Sequence, residues 1–157
     1  MGVRFSKTGL RPAEDRRIEP GSVFVLYFAA EFERYWAEGM KTFAVGEASF
    51  SEIANDVTAV YARALNAIKP GMKVSRLGKD LLEDVRRSGL ELLRDYGLGN
   101  GIGLSLNEPP VISDKGAQRL KEGMCLALRL AVSHKTYGSV MLGNTLIAGK
   151  NGAEVLT

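Results

Sequence analysis

Apolar residues in this chain change their spacing twice, and the order of those changes restricts the fold more than any other feature of the sequence. From Ser22 to Ala30 they form a nearly unbroken run, Val23-Phe24-Val25-Leu26-Tyr27-Phe28-Ala29-Ala30, which suits a strand covered on both faces. A second strand is expected from Tyr35 to Val45, and the short charged corner Glu31-Phe32-Glu33-Arg34 makes the two an antiparallel pair. After Gly46 the step lengthens to three and four residues. Ile53, Val57, Val60, Tyr61, Leu65 and Ile68 mark a helix that Ser51 can cap and Pro70-Gly71 ends. Leu77, Leu81, Leu82, Val85, Leu90 and Leu93 mark a second, capped by Ser75, with Gly89 weakening its later part. Strand character returns at Gly99 to Leu106, Met124 to Val132 and Gly138 to Ala148, then a tight turn at Gly149-Lys150-Asn151-Gly152 leads into Ala153 to Thr157. Two strands, two helices and then several strands give an α+β fold, with helices on one face of a mostly antiparallel sheet.

With 157 residues, 45% of them hydrophobic, the chain can bury one core, and a single domain over residues 1–157 is expected. Residues 1–20, with Arg4, Lys7, Arg11, Arg16, Arg17, Pro12 and Pro20, read as an irregular basic arm. The net charge of +3 comes from basic residues interleaved with acids, so nucleic acid is not the expected ligand. Cys125, in the run Met124-Cys125-Leu126-Ala127-Leu128, reads as a small buried hydrophobe, and one cysteine leaves no intrachain disulfide. No apolar run reaches the roughly 18 residues of a membrane span, and no leader is read at the N-terminus, so a soluble cytoplasmic protein is expected.

The stretch Gly99-Asn100-Gly101-Ile102-Gly103-Leu104-Ser105-Leu106-Asn107-Glu108-Pro109-Pro110 is shaped like part of a site. Glycines on alternate positions strip the side chains from one face of a strand, so another backbone, a side chain or a ligand can come close. His134, the single histidine, lies in the polar connection Ser133-His134-Lys135-Thr136-Tyr137 and reads as an exposed hairpin residue. The glycines at 97, 99, 101 and 103 have the wrong spacing for a phosphate loop, and no serine-hydrolase elbow is present.

Tyr35 to Gly46, Gly99 to Pro110, the Gly123-Met124 step, Asn144-Thr145-Leu146 and the ending Gly152 to Thr157 together resemble the pita-bread metallopeptidases, a family that includes aminopeptidase P, Xaa-Pro dipeptidase and creatinase. The resemblance runs from about residue 9 to the end. It implies two pseudo-symmetric αβ halves around a curved sheet and, in active members, two divalent metals on two Asp, one His and two Glu. Such a pair lowers the pKa of a bridging water for attack on a peptide carbonyl. The two Asp positions fall on Tyr27 and Glu38, the His on Asn100, the two Glu on Arg129 and Gly143, and a substrate-side His on Asn107. Tyr27 is neutral near pH 7, Asn100 has no basic imidazole, Gly143 has no side chain, and Arg129 carries a permanent positive charge. No metal and no cofactor are therefore expected. Arg129 can pair with Glu38 or Glu108 as a self-neutralised remnant of the site, or it can point to solvent.

The family domain is usually longer, so the resemblance also implies a pita-bread fold truncated in its N-terminal half, whose bare apolar surface would be covered by self-association or by a partner chain supplying the missing half. The expected function is a catalytically inactive peptidase-like domain. It would serve as a peptide-binding, protein-binding or assembly module through a cleft lined by Tyr27, Glu38, Asn100, Asn107, Arg129 and Gly143. The alternative is a metal-dependent Xaa-Pro dipeptidase or aminopeptidase-like hydrolase, or a subunit of one. Its altered site would be built on Glu31, Glu33, Glu38 and Glu108, or would use Tyr27 or Arg129 without a metal.

Overall fold

The computed structural model describes residues 15, 17–46, 50–135 and 138–157. Most of the basic arm and the Gly46-to-helix connection lie outside the described residues.

The first strand pair forms where the apolar runs lie: β1 (Val23–Phe32) and β2 (Tyr35–Ala44) pair antiparallel without a register break from Val23↔Ala44 to Phe32↔Tyr35. β1 is not covered on both faces as its apolar run suggested: Val25 is its one buried residue and Phe28 to Phe32 are exposed, because the strand lies at the edge of the sheet beyond β2. The turn between them holds Glu33 and Arg34 at positive φ. Helix α1 (Phe50–Ala67) buries Ile53, Val57, Val60 and Tyr61, the three- and four-residue stripe. Ser51 lies inside this helix, not at its cap. In α2 (Val74–Arg87), Ser75 is likewise internal; Lys73 takes the cap position, extended at ψ 135 and without a side-chain cap bond. The second helix stops short of Leu90 and Leu93 because Gly89 turns the chain at φ 67, and the sequence continues as β3 (Glu91–Leu92).

The expected strand from Gly99 to Leu106 shrinks to β4 (Gly99–Gly101), followed by a loop and β5 (Glu108–Val111). The long central strands are β6 (Cys125–His134) and β7 (Gly138–Gly149), and the turn after Gly149 leads into β8 (Gly152–Val155), which pairs Gly149↔Gly152. Among the described residues all strands join one eight-stranded sheet of order β1-β2-β7-β6-β4-β5, with β3 on β6 and β8 on β7, and every pairing is antiparallel.

Alternation splits this sheet into two faces. Leu126, Leu128, Leu130 and Val132 of β6 pack with Val140 and Leu146 of β7 against both helices in the main core. On the other face Val25, Met40, Ala131 and Met141 form a smaller cluster under Leu93 and Tyr96. That second face carries Tyr27, Glu38, Asn100, Arg129 and Gly143, whereas Asn107 lies in the loop between β4 and β5. Among the described residues, no helix is long and apolar enough to cross a membrane.

Candidate functional site

Two cross-strand rows meet on the face turned away from the helices. The register sets Tyr27 opposite Met40, Met40 opposite Gly143, and Gly143 opposite Arg129, so Arg129 points to the same side as Tyr27. One step along, Asn100 pairs with Ala127 and Ala127 with Thr145. Thr145 Oγ1 accepts from the Glu38 amide at 2.8 Å and donates to the Glu38 carbonyl at 2.9 Å, fixing β2 where it meets β7. Four strands thus aim their side chains at one point.

There Arg129 and Glu38 form a two-pronged ion pair. Arg129 Nε donates to Glu38 Oε1 at 2.5 Å and Nη2 to Oε2 at 2.9 Å, while Nη1 donates to Asn100 Oδ1 at 2.9 Å. Tyr27 adds its hydroxyl to Glu38 Oε2 at 3.2 Å, and Asn100 Nδ2 donates to the carbonyls of Gly101 and Leu106 at 2.6 and 3.1 Å. Glu38 is 2% exposed, Thr145 3% and Asn100 5%, and they are the buried polar residues among those described. All three belong to this network, and no buried side-chain nitrogen or oxygen among the described residues lacks a partner. Burial, then the charge and hydrogen bond of Glu38, push the Tyr27 phenol up to about 12, against the opposing pull of Arg129; Tyr27 is a neutral donor here.

The five positions at which the resemblance implies metal ligands do not fit a dinuclear centre. Both Glu38 oxygens are engaged by the guanidinium, Arg129 is a fixed cation where a ligand would be an anion, and Asn100 spends its oxygen on Arg129 and its amide on backbone. Gly143 contributes no donor; a Cβ there would sit tightly against Met40 Cβ at 3.2 Å and in ordinary contact with Arg129 Cγ at 3.7 Å. Among the described residues no group of three or more His, Cys, Asp or Glu is placed to hold a metal ion.

Tyr27, Glu38, Asn100, Arg129 and Gly143 come together, and Asn107 does not: it is exposed, one residue beyond the Leu106 carbonyl that holds Asn100. Of the partners open to Arg129, the structure selects Glu38. Glu108 instead accepts from the Ser105 amide at 2.7 Å and closes the loop after β4. The glycine stretch is also filled from within. A Cβ on Gly101 would sit 2.9 Å from the Pro109 carbonyl carbon, and one on Gly99, at φ 136, 3.1 Å from that of Ala127; backbone takes the bare face, not a ligand. Cys125 is exposed, contrary to the expectation of a buried hydrophobe, because it opens β6 at the sheet's end opposite Ile147. His134 closes the same strand opposite Gly138, half-buried. Thr145 entered the sequence analysis only within the Asn144-Thr145-Leu146 stretch and not as a site residue; its hydroxyl lies in line with Met141 and Gly143 on β7.

With this geometry in hand, the likenesses to known proteins are specific. Residues 2–150 match Metallopeptidase family M24. The chain is 32% identical over 147 residues to the Xaa-Pro dipeptidase of Pyrococcus furiosus, covering 92% of this chain and 42% of that protein. An uncharacterised peptidase of Bacillus subtilis is 26% identical over the same length and shares. Among solved structures, the Pyrococcus furiosus prolidase superposes with a TM-score of 0.79 at 32% identity, over 91% of this chain and 43% of its own. The prolidase of Pyrococcus horikoshii superposes at 0.83 with 26% identity, over 98% and 45%. The chain therefore spans about two fifths of the length of the curated relatives it matches. Over that span it has the pita-bread fold, and it belongs to metallopeptidase family M24.

Proposed function

We propose that this Xaa-Pro dipeptidase-like chain uses its cleft to bind an extended peptide or protein segment, without a metal and without hydrolysis. The observation that carries the reading is the two-pronged Arg129–Glu38 pair, at 2.5 and 2.9 Å, in the place where metal ligands would have to converge. Hydrolysis by this family's chemistry needs a metal-activated water, and a carboxylate whose charge is already neutralised by a guanidinium offers little net attraction to a second cation. The pair cancels its own charge and Tyr27 is neutral, so the cleft floor suits uncharged backbone amides better than a charged terminus. The test is an Xaa-Pro dipeptide assay with added manganese or cobalt, run beside an NMR titration with an extended, uncharged peptide. The expected result is no turnover, with peptide-induced shifts at Tyr27 and the Asn100 side-chain amide. Turnover that Glu38→Ala abolishes would overturn the binding-only reading.

The alternative of a subunit that completes a larger hydrolase draws support from the 42% share of the relatives that the chain spans. In that reading the metal ligands reside in the complementing polypeptide.

A further inference from the structure

Two of the chain's six asparagines precede a glycine: Asn100 in the cleft and Asn151 in the turn between β7 and β8. An Asn-Gly step carries its own chemistry, because the following residue has no side chain to shield its nitrogen. That nitrogen attacks the asparagine Cγ. The N–Cγ bond forms, the Cγ–Nδ2 bond breaks, ammonia leaves, and a five-membered succinimide remains. Water opens the ring at either carbonyl and leaves aspartate or isoaspartate. The sum is asparagine and water going to an acid and ammonia, with no change of oxidation state. Ring closure needs a side chain free to swing onto its own backbone and a main chain with room for the ring.

The fold withholds both from Asn100. Its Oδ1 accepts from Arg129 Nη1 at 2.9 Å, and its Nδ2 donates to the carbonyls of Gly101 and Leu106. The attacking nitrogen would be that of Gly101, where even a Cβ would sit 2.9 Å from the Pro109 carbonyl carbon. Asn151 meets the opposite conditions. It is exposed, in the two-residue connection Lys150-Asn151 that the Gly149↔Gly152 pair closes. Gly152, at φ 144, would carry a Cβ with nothing within 4 Å of it.

The turn is also coupled to the cleft through β8. Isoaspartate routes the main chain through the former side chain and lengthens it by one carbon. A two-residue turn has no slack to absorb that, so the Gly149↔Gly152, Ala148↔Ala153 and Ile147↔Glu154 pairs lose their register. Just past β8, the Leu156 amide donates to the Thr145 carbonyl at 2.9 Å and the Thr157 hydroxyl to the Glu38 carbonyl at 3.0 Å. Loosening β8 therefore loosens the backbone behind the ion pair.

We propose that Asn151 deamidates spontaneously through a succinimide and that its isoaspartate product releases β8 from β7, while Asn100 is preserved by the network around it. The reaction requires nothing of what the cleft binds. The test is incubation of the purified chain for several weeks at neutral pH, followed by peptide mapping with mass spectrometry and isoaspartate detection. Asn151 converts at least about a hundredfold faster than Asn100, which reacts only from a locally opened state. In urea the two convert at similar rates. Hydrogen exchange on the aged protein shows the Leu156 amide losing protection while the β6 amides keep theirs, and Asn151→Gln keeps Leu156 protected through the same incubation. Folded protein in which Asn100 converts as fast as Asn151, or an isoaspartate form in which Leu156 stays protected, overturns the proposal.

Discussion

Arg129 is held by three of its nitrogens, and Glu38, its partner, is almost wholly buried. Removing one member of such a pair strands the other charge in a low-dielectric site, at a cost of about 3–5 kcal/mol, whereas replacing both with apolar or neutral groups costs much less. Arg129→Ala should therefore lower the urea-unfolding free energy by about that amount, and Arg129→Met with Glu38→Gln should recover most of it. Tyr27 gives a second prediction. Its phenol is raised in the folded state from 10.0 to about 12, so the folded protein holds that proton more tightly than the unfolded chain. The resulting stability is fully present below pH 10 and is lost as the pH rises through about 12. Absorbance titration of the phenols should show Tyr27 ionising late, and Tyr27→Phe should flatten the loss of stability over that window. The residue types at 27, 38, 100, 129 and 143 were legible from the spacing of the family resemblance. The direction of Arg129 was not, because it depends on which parity of β6 faces the helices, a property of the assembled sheet. Cys125 was misread for the same reason: an apolar run does not say where its strand begins.

The elements followed their periodicity closely where it was long. Both helices and the four long strands lie where the apolar spacing puts them, with ends shifted by a few residues at Ser51, Ser75 and Gly89. The glycine segment departed most. Its alternating pattern promised a strand to Leu106, yet pairing stops at Gly101 because the Gly103 carbonyl turns to accept from the Trp36 amide at 2.8 Å and Glu108 anchors Ser105. Alternate glycines mark close backbone approach, and the sequence alone does not say whether a ligand or the chain itself makes it. Here Gly101→Ala tests the internal reading. A Cβ 3.1 Å from the Glu108 carbonyl and nearer still to Pro109 forces β4 from β5, an overpacking cost of about 1–3 kcal/mol. Hydrogen exchange should localise the damage, with the Ile112 amide, bonded to the Gly99 carbonyl at 2.9 Å, losing protection first.

At the scale of the molecule, one M24 sheet supports two separate features. At the end of β7, the turn into β8 stands open to solvent; on the face away from the helices, four strands converge on an ion pair at the positions where the family resemblance implies a metal centre. Among the described residues the network at that point, where β1, β2, β4 and β6 meet, pairs its own charges and leaves no buried side-chain donor or acceptor without a partner. The proposed binding role has Arg129 in the metal's place. Equilibrium dialysis of the purified protein against manganese or cobalt, followed by elemental analysis, tests it most directly. The account predicts bound metal well below one ion per chain and a thermal midpoint unmoved by a chelator. One or two ions bound per chain, lost on Glu38→Ala, would contradict it.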